Sequence, residues 1–260
     1  MITSSDNKQI KSLSALIKKS KERRKQRLFV TEGPKMSFEA PPEWVNQIYV
    51  SESFYKDENN AKKLEQYEDK LWVVKDSVFN AVSDTQTPQG VMALVKMPEY
   101  DLSELINADK AHLLILESIQ DPGNLGTMIR TGEGAGITGI IMNKTTVDVF
   151  NPKTVRSTMG SLYRVPFVIV EDLKGTLEEL KSKGISLYAA HLKGQLSYDE
   201  PDYTSSCGFL IGNEGNGLSD EIADCADTYI KIPMEGKVES LNAAISATLL
   251  KYECNRQRRK

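Results

Sequence analysis

The 260-residue sequence predicts an α/β protein in two parts, a small α/β unit followed by a larger one built on a parallel sheet. Three observations carry this expectation. From His112 onward, short apolar runs alternate with helical segments, the pattern of repeated βα units. The run from Leu113 to Leu116 is continuously apolar, as in a strand buried on both faces. The segment from Pro152 to Gly160 opens on proline and closes on glycine, the asymmetry of helix ends. A hydrophobic content of 40% and a charged content of 27% suit a globular chain that buries its core without disulfides or metal.

In chain order, Ile10, Leu13, Leu16 and Ile17 recur at spacings of three and four, one face of a helix over residues 6–26. Strand-like runs follow at Leu28 to Thr31, Gln47 to Val50, Leu71 to Val74 and Gly90 to Val95, with Pro41-Pro42 and a helix-capable stretch, Lys56 to Tyr67, between them. Together they make a first domain over residues 1–97, a normal domain size. Residues 98–108 read as a linker, and residues 109–260 as the second domain. There the expected order is strand Leu113 to Leu116, helix Asn124 to Ala135, strand Gly139 to Met142, helix Pro152 to Gly160 and strand Pro166 to Val170. A helix from Asp172 to Lys183, a strand from Ser186 to Ala190 and a polar loop from Lys193 to Ser206 come next. Strands around Phe209 to Ile211 and Tyr229 to Ile232 then lead to a small-residue helix from about Ser240.

The net charge of −3 says nothing for nucleic acid, but its distribution does. Between Lys8 and Arg27 lie nine cations, Lys18, Lys19, Arg23 and Arg24 among them, opposed only by Glu22, and the chain ends Arg256, Arg258, Arg259, Lys260. Basic ends form a polyanion footprint, or equally a solvated helix face and a frayed terminus. The three cysteines lack CxxC spacing and the histidines are His112 and His191, so neither a zinc site nor a disulfide framework is expected. A reducing cytoplasm fits. No signal core or stretch of about 20 apolar residues argues for a membrane, so a cytosolic protein is expected.

Ligands of parallel sheets bind beyond the carboxyl ends of the strands, and three such loops hold candidate chemistry. The first lies in ILESIQDPGNLGTMIRTGEGAG, Ile115 to Gly136. Only Gly123 and Gly126 fall where a dinucleotide fingerprint needs G-x-G-x-x-G, and Gly132, Gly134 and Gly136 read as the exit of the helix, so a dinucleotide site is rejected. Asn124 is a candidate helix cap. Arg130, one turn after Gly126, sits near whatever occupies the loop, or is a surface ion-pair partner. The second loop is GNEGNG, Gly212 to Gly217, whose glycines let backbone approach a ligand or adopt positive φ. Glu214 would repel a phosphate there, so a neutral or cationic ligand suits it, and an exposed glycine-rich turn is the alternative. The third is IPMEGKVESLNAA, where Ser240 or Asn242 can cap the final helix. With no G-x-S-x-G and no histidine near these loops, Ser-His-Asp catalysis has no support.

Taken together, DPGNLGTMIRTGEGAG, FLIGNEGNGLS and IKIPMEGKVESLNAAISATLLKYE, in that order, resemble the three motifs of the SpoU (TrmH-type) RNA ribose 2′-O-methyltransferases of the SPOUT class. NPKTVRSTMGSL, Asn151 to Leu162, is similar to the family's intermediate block. IKSLSALIKKSKERRKQRLFVTEG is similar to the ribosomal-protein-like RNA-binding domain that many members carry, with Pro41-Pro42 a departure where members often continue a helix.

The resemblance implies a SPOUT domain with a deep trefoil knot, S-adenosylmethionine as methyl donor, no metal, and a homodimer whose site is completed across the subunit interface. It places the cofactor on Gly212, Ile232, Met234 and Leu241 and the catalytic group on Arg130, Asn124, Glu214, Ser240 and Asn242. A sulfonium is cationic, which a loop bearing Glu214 tolerates. Arginine is normally protonated, so Arg130 is expected to clamp a phosphate and stabilise a developing alkoxide. The basic stretch then reads as an RNA grip on Lys18, Lys19, Arg23 and Arg24. Ribosomal RNA is favoured over transfer RNA as substrate. The competing readings are a transfer-RNA enzyme of the same family, a non-catalytic RNA-binding protein of the same fold, and a nucleotide-binding oxidoreductase, the last disfavoured by the missing fingerprint.

Overall fold

The computed structural model describes residues 1–259, so Lys260 of the basic C-terminal run lies outside the described residues. The elements run α1 (Lys8–Lys18), α2 (Ser20–Gln26), β1 (Leu28–Glu32), α3 (Pro34–Phe38), β2 (Val45–Ser51), α4 (Glu52–Lys56), α5 (Glu58–Leu64), β3 (Leu71–Val74), α6 (Asp76–Val82), β4 (Val91–Lys96) and α7 (Leu102–Ile106). They continue β5 (His112–Leu116), α8 (Pro122–Ala135), β6 (Gly139–Asn143), α9 (Pro152–Thr158), β7 (Phe167–Val170), α10 (Leu173–Ser182), β8 (Ser186–Ala190), β9 (Leu196–Ser197), β10 (Cys207–Ile211), α11 (Asp220–Ala223), β11 (Thr228–Lys231) and α12 (Ala243–Arg258). These form two compact units, Met1–Pro98 with Asp148–Tyr163, and Glu99–Val147 with the chain from Arg164 onward. Two stretches therefore depart from the contiguous division expected. Residues 148–163, expected in the second domain, pack in the first unit, and the expected linker contributes α7 to the second, where Leu105 and Ile106 are buried.

In the first unit the strand order is β1-β4-β2-β3, with β2 and β3 parallel and the other pairs antiparallel. Ile10, Leu13, Leu16 and Ile17 of α1 are buried against Val30, Tyr49, Phe79 and Met92, as their spacing requires. The single helix expected over residues 6–26 is broken at Lys19, which is extended (φ −124°, ψ 112°). Arg23 explains the break. Its guanidinium is buried, and Nη1 donates to the Leu16 and Ile17 carbonyls at 2.8 and 3.0 Å, satisfying groups that the end of α1 leaves open. Its Nε and Nη2 donate to Asp148 Oδ2 at 3.1 and 2.6 Å. Arg23 is thus an internal strut, which corrects its expected place in an RNA grip, whereas Lys18, Lys19 and Arg24 are exposed. The returning segment is held further by Phe150 against Phe29, ring centroids 4.9 Å apart, and by Tyr163 Oη donating to the Met36 carbonyl at 2.7 Å.

In the second unit the order is β7-β6-β5-β10-β8-β11-β9, and every pair is parallel. The central strands β5 and β10 are buried along their whole length. One face of the sheet packs under α10 through Leu113, Ile115, Leu177, Leu180, Leu187 and Leu210. On the other, α12 packs on α8, β10 and β5. Gly132 and Gly134, expected at the exit of the first helix, lie inside α8, and the helix ends at left-handed Gly136 (φ 70°). A glycine inside a helix costs about 1 kcal/mol relative to alanine. Here a Cβ on Gly134 would stand 2.6 Å from the Tyr252 hydroxyl, so bare backbone there lets α12 sit close, and one on Gly132 would stand 2.5 Å from Ile137 Cδ1, so bare backbone there lets the chain fold back after α8. Among the described residues no helix is long and apolar enough to cross a membrane, and no group of three or more His, Cys, Asp and Glu side chains is placed to hold a metal.

Replacing Arg23 with methionine should strand Asp148 and two carbonyls, lowering unfolding free energy by about 3 kcal/mol. Denaturant titration checks this, and an unchanged midpoint would show that Arg23 is no strut.

Candidate active site

The loops that follow the adjacent strands β5, β6 and β10 meet at the carboxyl end of the second sheet. Ser118, two residues past β5, is left-handed (φ 58°) without being glycine, a conformation that costs about 1–3 kcal/mol and persists where surroundings enforce it. The enforcing groups are polar. Ser118 N donates to Asn143 Oδ1 at 2.9 Å, and its carbonyl accepts from Gln120 Nε2 and Asn213 Nδ2 at 3.1 and 2.9 Å. Glu117 accepts from the Ser219 N–H and hydroxyl at 2.8 and 2.7 Å, tying β5 to the far side of the glycine loop.

That loop is a closed turn. Asn213 and Gly217 exchange two backbone hydrogen bonds at 3.0 and 2.9 Å, and Asn213 Oδ1 accepts from the N–H groups of Gly215 and Asn216. Gly212 is obligatory, since a Cβ there would lie 2.1 Å from the Gly217 carbonyl carbon and the Leu218 nitrogen. Asn213 organises the loop and was not singled out from sequence. The available signal was an asparagine among glycines, whose side chain bonds to backbone two residues on.

The turn presents Glu214 to the loop after β5. Its Oε2 accepts from Gln120 N at 2.9 Å, and its Oε1 accepts from Asp121 N and Asn124 Nδ2, both at 3.0 Å. Partial burial pushes the carboxyl up, but the Asn124 amide and the two backbone N–H groups outweigh it and hold Glu214 below its ordinary value. Asn124 is not the helix cap. Asp121 is, accepting from Asn124 N at 2.8 Å, which frees the Asn124 side chain to accept from Asn242 Nδ2 at 2.9 Å. Asn242, not Ser240, caps α12, accepting from Ala244 N and Ile245 N at 2.8 and 3.3 Å, and the helix begins at Ala243 rather than near Ser240. One relay, Glu214 to Asn124 to Asn242, therefore joins all three motif segments.

Other site residues stand outside the relay. Arg130 is exposed on α8, and its side chain makes no hydrogen bond or ion pair among the described residues. Ser240 is exposed and likewise unbonded. From Ile232 to Leu241 the chain is irregular and, among the described residues, makes no hydrogen bond, while Ile232, Met234 and Leu241 are half-buried. Apolar side chains beside open N–H and C=O groups suit a flat heteroaromatic ring, and a nearby carboxylate suits a positive charge.

Lys251 underlies the site and was not singled out, although it falls on the buried α12 stripe with Ala244, Ala247 and Cys254. It is fully buried, and Nζ donates to the Met128 carbonyl at 2.7 Å and Thr131 Oγ1 at 2.8 Å, clasping α8 on either side of Arg130. Thr248 adds a hydroxyl bond to Thr131 at 3.1 Å. Burial with no carboxylate partner pushes the lysine down to about 7.

The family model described as SpoU rRNA Methylase family matches residues 111–252, and the MRM3-like substrate binding domain matches residues 7–93. The 23S rRNA (guanosine(2553)-2′-O)-methyltransferase RlmP of Bacillus subtilis is 35% identical over 253 residues, covering 96% of this chain and 97% of the relative. The crystal structure of the SpoU methyltransferase AviRb from Streptomyces viridochromogenes in complex with AdoMet superposes with a TM-score of 0.88 at 27% identity, covering 98% of this chain and 99% of that one. The AdoMet-bound rRNA methyltransferase from Sinorhizobium meliloti gives 0.86 at 30% identity, covering 98% and 97%.

The clasp makes a pH prediction. The unfolded chain holds the Lys251 proton up to about 10.5 and the folded chain only to about 7, so the unfolded state binds more protons between those values. Stability should therefore rise with pH across that window, by up to about 1.4 kcal/mol per unit, and Lys251→Met should remove the slope. Parallel slopes for wild type and variant in urea unfolding at pH 7, 8 and 9 would contradict it.

Proposed function

The chain belongs to the SpoU rRNA Methylase family of S-adenosylmethionine-dependent RNA 2′-O-methyltransferases, and we propose that its own substrate is a ribose 2′-hydroxyl of ribosomal RNA. The observation that carries the reading is the relay of Glu214, Asn124 and Asn242, which draws the three motif loops into one site. Similarity to a 23S rRNA enzyme along nearly the whole chain, N-terminal unit included, favours ribosomal over transfer RNA.

The residues present fit the cofactor, which supplies an electrophilic methyl group on a sulfonium. Ile232, Met234 and Leu241 offer apolar contacts, the open backbone between them offers donors and acceptors, and Gly212 leaves the loop bare. Glu214, held ionised, balances positive charge and fixes the loop. Arg130, free of internal partners, clamps the phosphate beside the reacting ribose and stabilises charge developing on its 2′-oxygen. Ser240 and the amides of Asn124 and Asn242 orient the ribose. Fixing the hydroxyl in line with the methyl group supplies much of the acceleration.

The same reading takes the active form to be a cytoplasmic homodimer with a deep trefoil knot. Ile245 and Tyr252, 49% and 43% exposed and seven residues apart on α12, form an apolar stripe beside α8 that supports an interface there. The placement of β10 between β5 and β8, with α12 returning across β5 and β10, supports the knot.

Incubation of the purified protein with methyl-labelled S-adenosylmethionine and ribosomal RNA should label a ribose, and Arg130→Ala should lose about 10²–10³-fold in rate while binding the cofactor normally. Cofactor binding without label transfer to ribosomal RNA would refute the assignment, and label on transfer RNA alone would refute the substrate. A full-rate Arg130→Ala would remove that residue from the chemistry. The exposed cations make a separate prediction: neutralising Lys18, Lys19 and Arg24 together should flatten the dependence of log affinity on log salt by about 0.7–0.9 for each phosphate left without its cation, and an unchanged slope would exclude them from the grip.

A further inference from the structure

The first unit contains a cavity of about 470 Å³, lined by Phe54, Asp57, Asn60, Asp76, Asn80 and Gln89 among others. Its back wall is rigid. Gly90 (φ 77°) presses bare backbone against Phe54, where a Cβ would stand 2.8 Å from Phe54 Cβ and from Ser51 Oγ, and its carbonyl accepts from Ser51 N at 2.8 Å. Phe54 is half-buried and backed by Phe38, ring centroids 6.3 Å apart, so it is an anchored aromatic surface.

The polar groups are selective. Asp76 Oδ1 accepts from the N–H and hydroxyl of Ser53 at 3.0 and 3.1 Å, and Asp57 Oδ1 accepts from the N–H and side-chain amide of Asn59 at 3.0 and 2.8 Å. The second oxygen of Asp57 takes no part in these bonds and can accept from a ligand, while Asp76 is also held by the Ser51 hydroxyl. The backbone N–H of Ser53 is the largest influence holding Asp76 below its ordinary value, so it stays an acceptor. Asn80 and Gln89 carry exposed amides that can donate or accept. Two carboxylates, with Lys56 near Asp76 already paired to Glu52, disfavour a phosphate as occupant. An aromatic wall, paired acceptors and amides instead match a neutral ring whose edge bears adjacent N–H donors. Guanine, with N1–H beside an amino group, can meet one carboxylate at two points, and uracil offers no amino group at all.

We propose that this cavity receives one unstacked, unpaired base of the RNA substrate, guanine above the others, and so reads sequence at a point separate from the methylated ribose. The inference rests on the reading that the chain acts on RNA, and it assigns base recognition to the cavity while the exposed lysines contribute phosphate contacts.

The test uses full-length protein and dye-labelled seven-nucleotide single strands of uridine with A, C, G or U at the centre, followed by fluorescence anisotropy at several salt concentrations. The wild type should bind the strand with central G about tenfold more tightly than all-uridine. Asp57→Asn combined with Asp76→Asn, which keeps the shape and removes the paired acceptors, should erase that preference. Phe54→Leu, which keeps the apolar bulk, should weaken every strand by a similar factor if its melting temperature is that of wild type. Absence of a base preference in wild type, or its survival in the double variant, overturns the proposal. So does displacement of RNA by an arginine-rich peptide in wild type but not in the double variant. Methyl transfer is scored separately: base-selective binding without transfer refutes the enzymatic reading alone, and transfer without base-selective binding refutes the cavity alone.

Discussion

The carboxylate of Glu214 accepts from two backbone N–H groups of the loop after β5 and from Asn124, and through Asn124 it reaches Asn242 and the first turn of α12. Charge-assisted bonds of this kind are stronger than neutral ones, and a chain of them polarises along its length. The turn that presents Glu214 exists because Gly212 has no side chain and Asn213 satisfies the backbone inside the loop. The loop geometry, the placement of the first motif and the origin of the last helix are consequences of one arrangement.

Beneath that polar surface lies a second constraint of a different nature. Glycine at 134 lets the two helices carrying Arg130 and Asn242 approach closely, and Lys251 fixes their register by donating to the Met128 carbonyl and the Thr131 hydroxyl. A buried lysine is poor stabilisation beside a hydrophobic residue of equal volume. What it supplies is direction, because a leucine in its place could pack with the helices slid or rotated and a hydrogen-bonded amine could not.

The alternation of apolar runs and helices from His112 onward was enough to read the α/β class and the parallel sheet, because a strand buried on both faces leaves an unmistakable continuous run. The motif residues were legible as types and as family matches. Their bonding was not: Asn124 looked like a cap because asparagine favours that position, yet Asp121 occupies it and the amide does something else. Arg23 looked like one cation among many, since nothing in a charge run distinguishes the side chain that turns inward to meet Asp148, 125 positions away. Gly132 and Gly134 read as a helix exit for the same reason, their purposes being visible only once Ile137 and Tyr252 are placed. Local propensity reports what a residue tolerates, and long-range contact decides what it does.

The chain passes between its two units three times, after Pro98, after Val147 and after Tyr163. The N-terminal unit is therefore not joined to the rest of the chain at a single point. A gene fragment ending at residue 98 would encode a unit lacking α9, the Asp148 partner of Arg23 and the Tyr163 hydroxyl bonded to Met36. Moving the unit intact would require carrying over a sixteen-residue segment that lies, in sequence, inside the other.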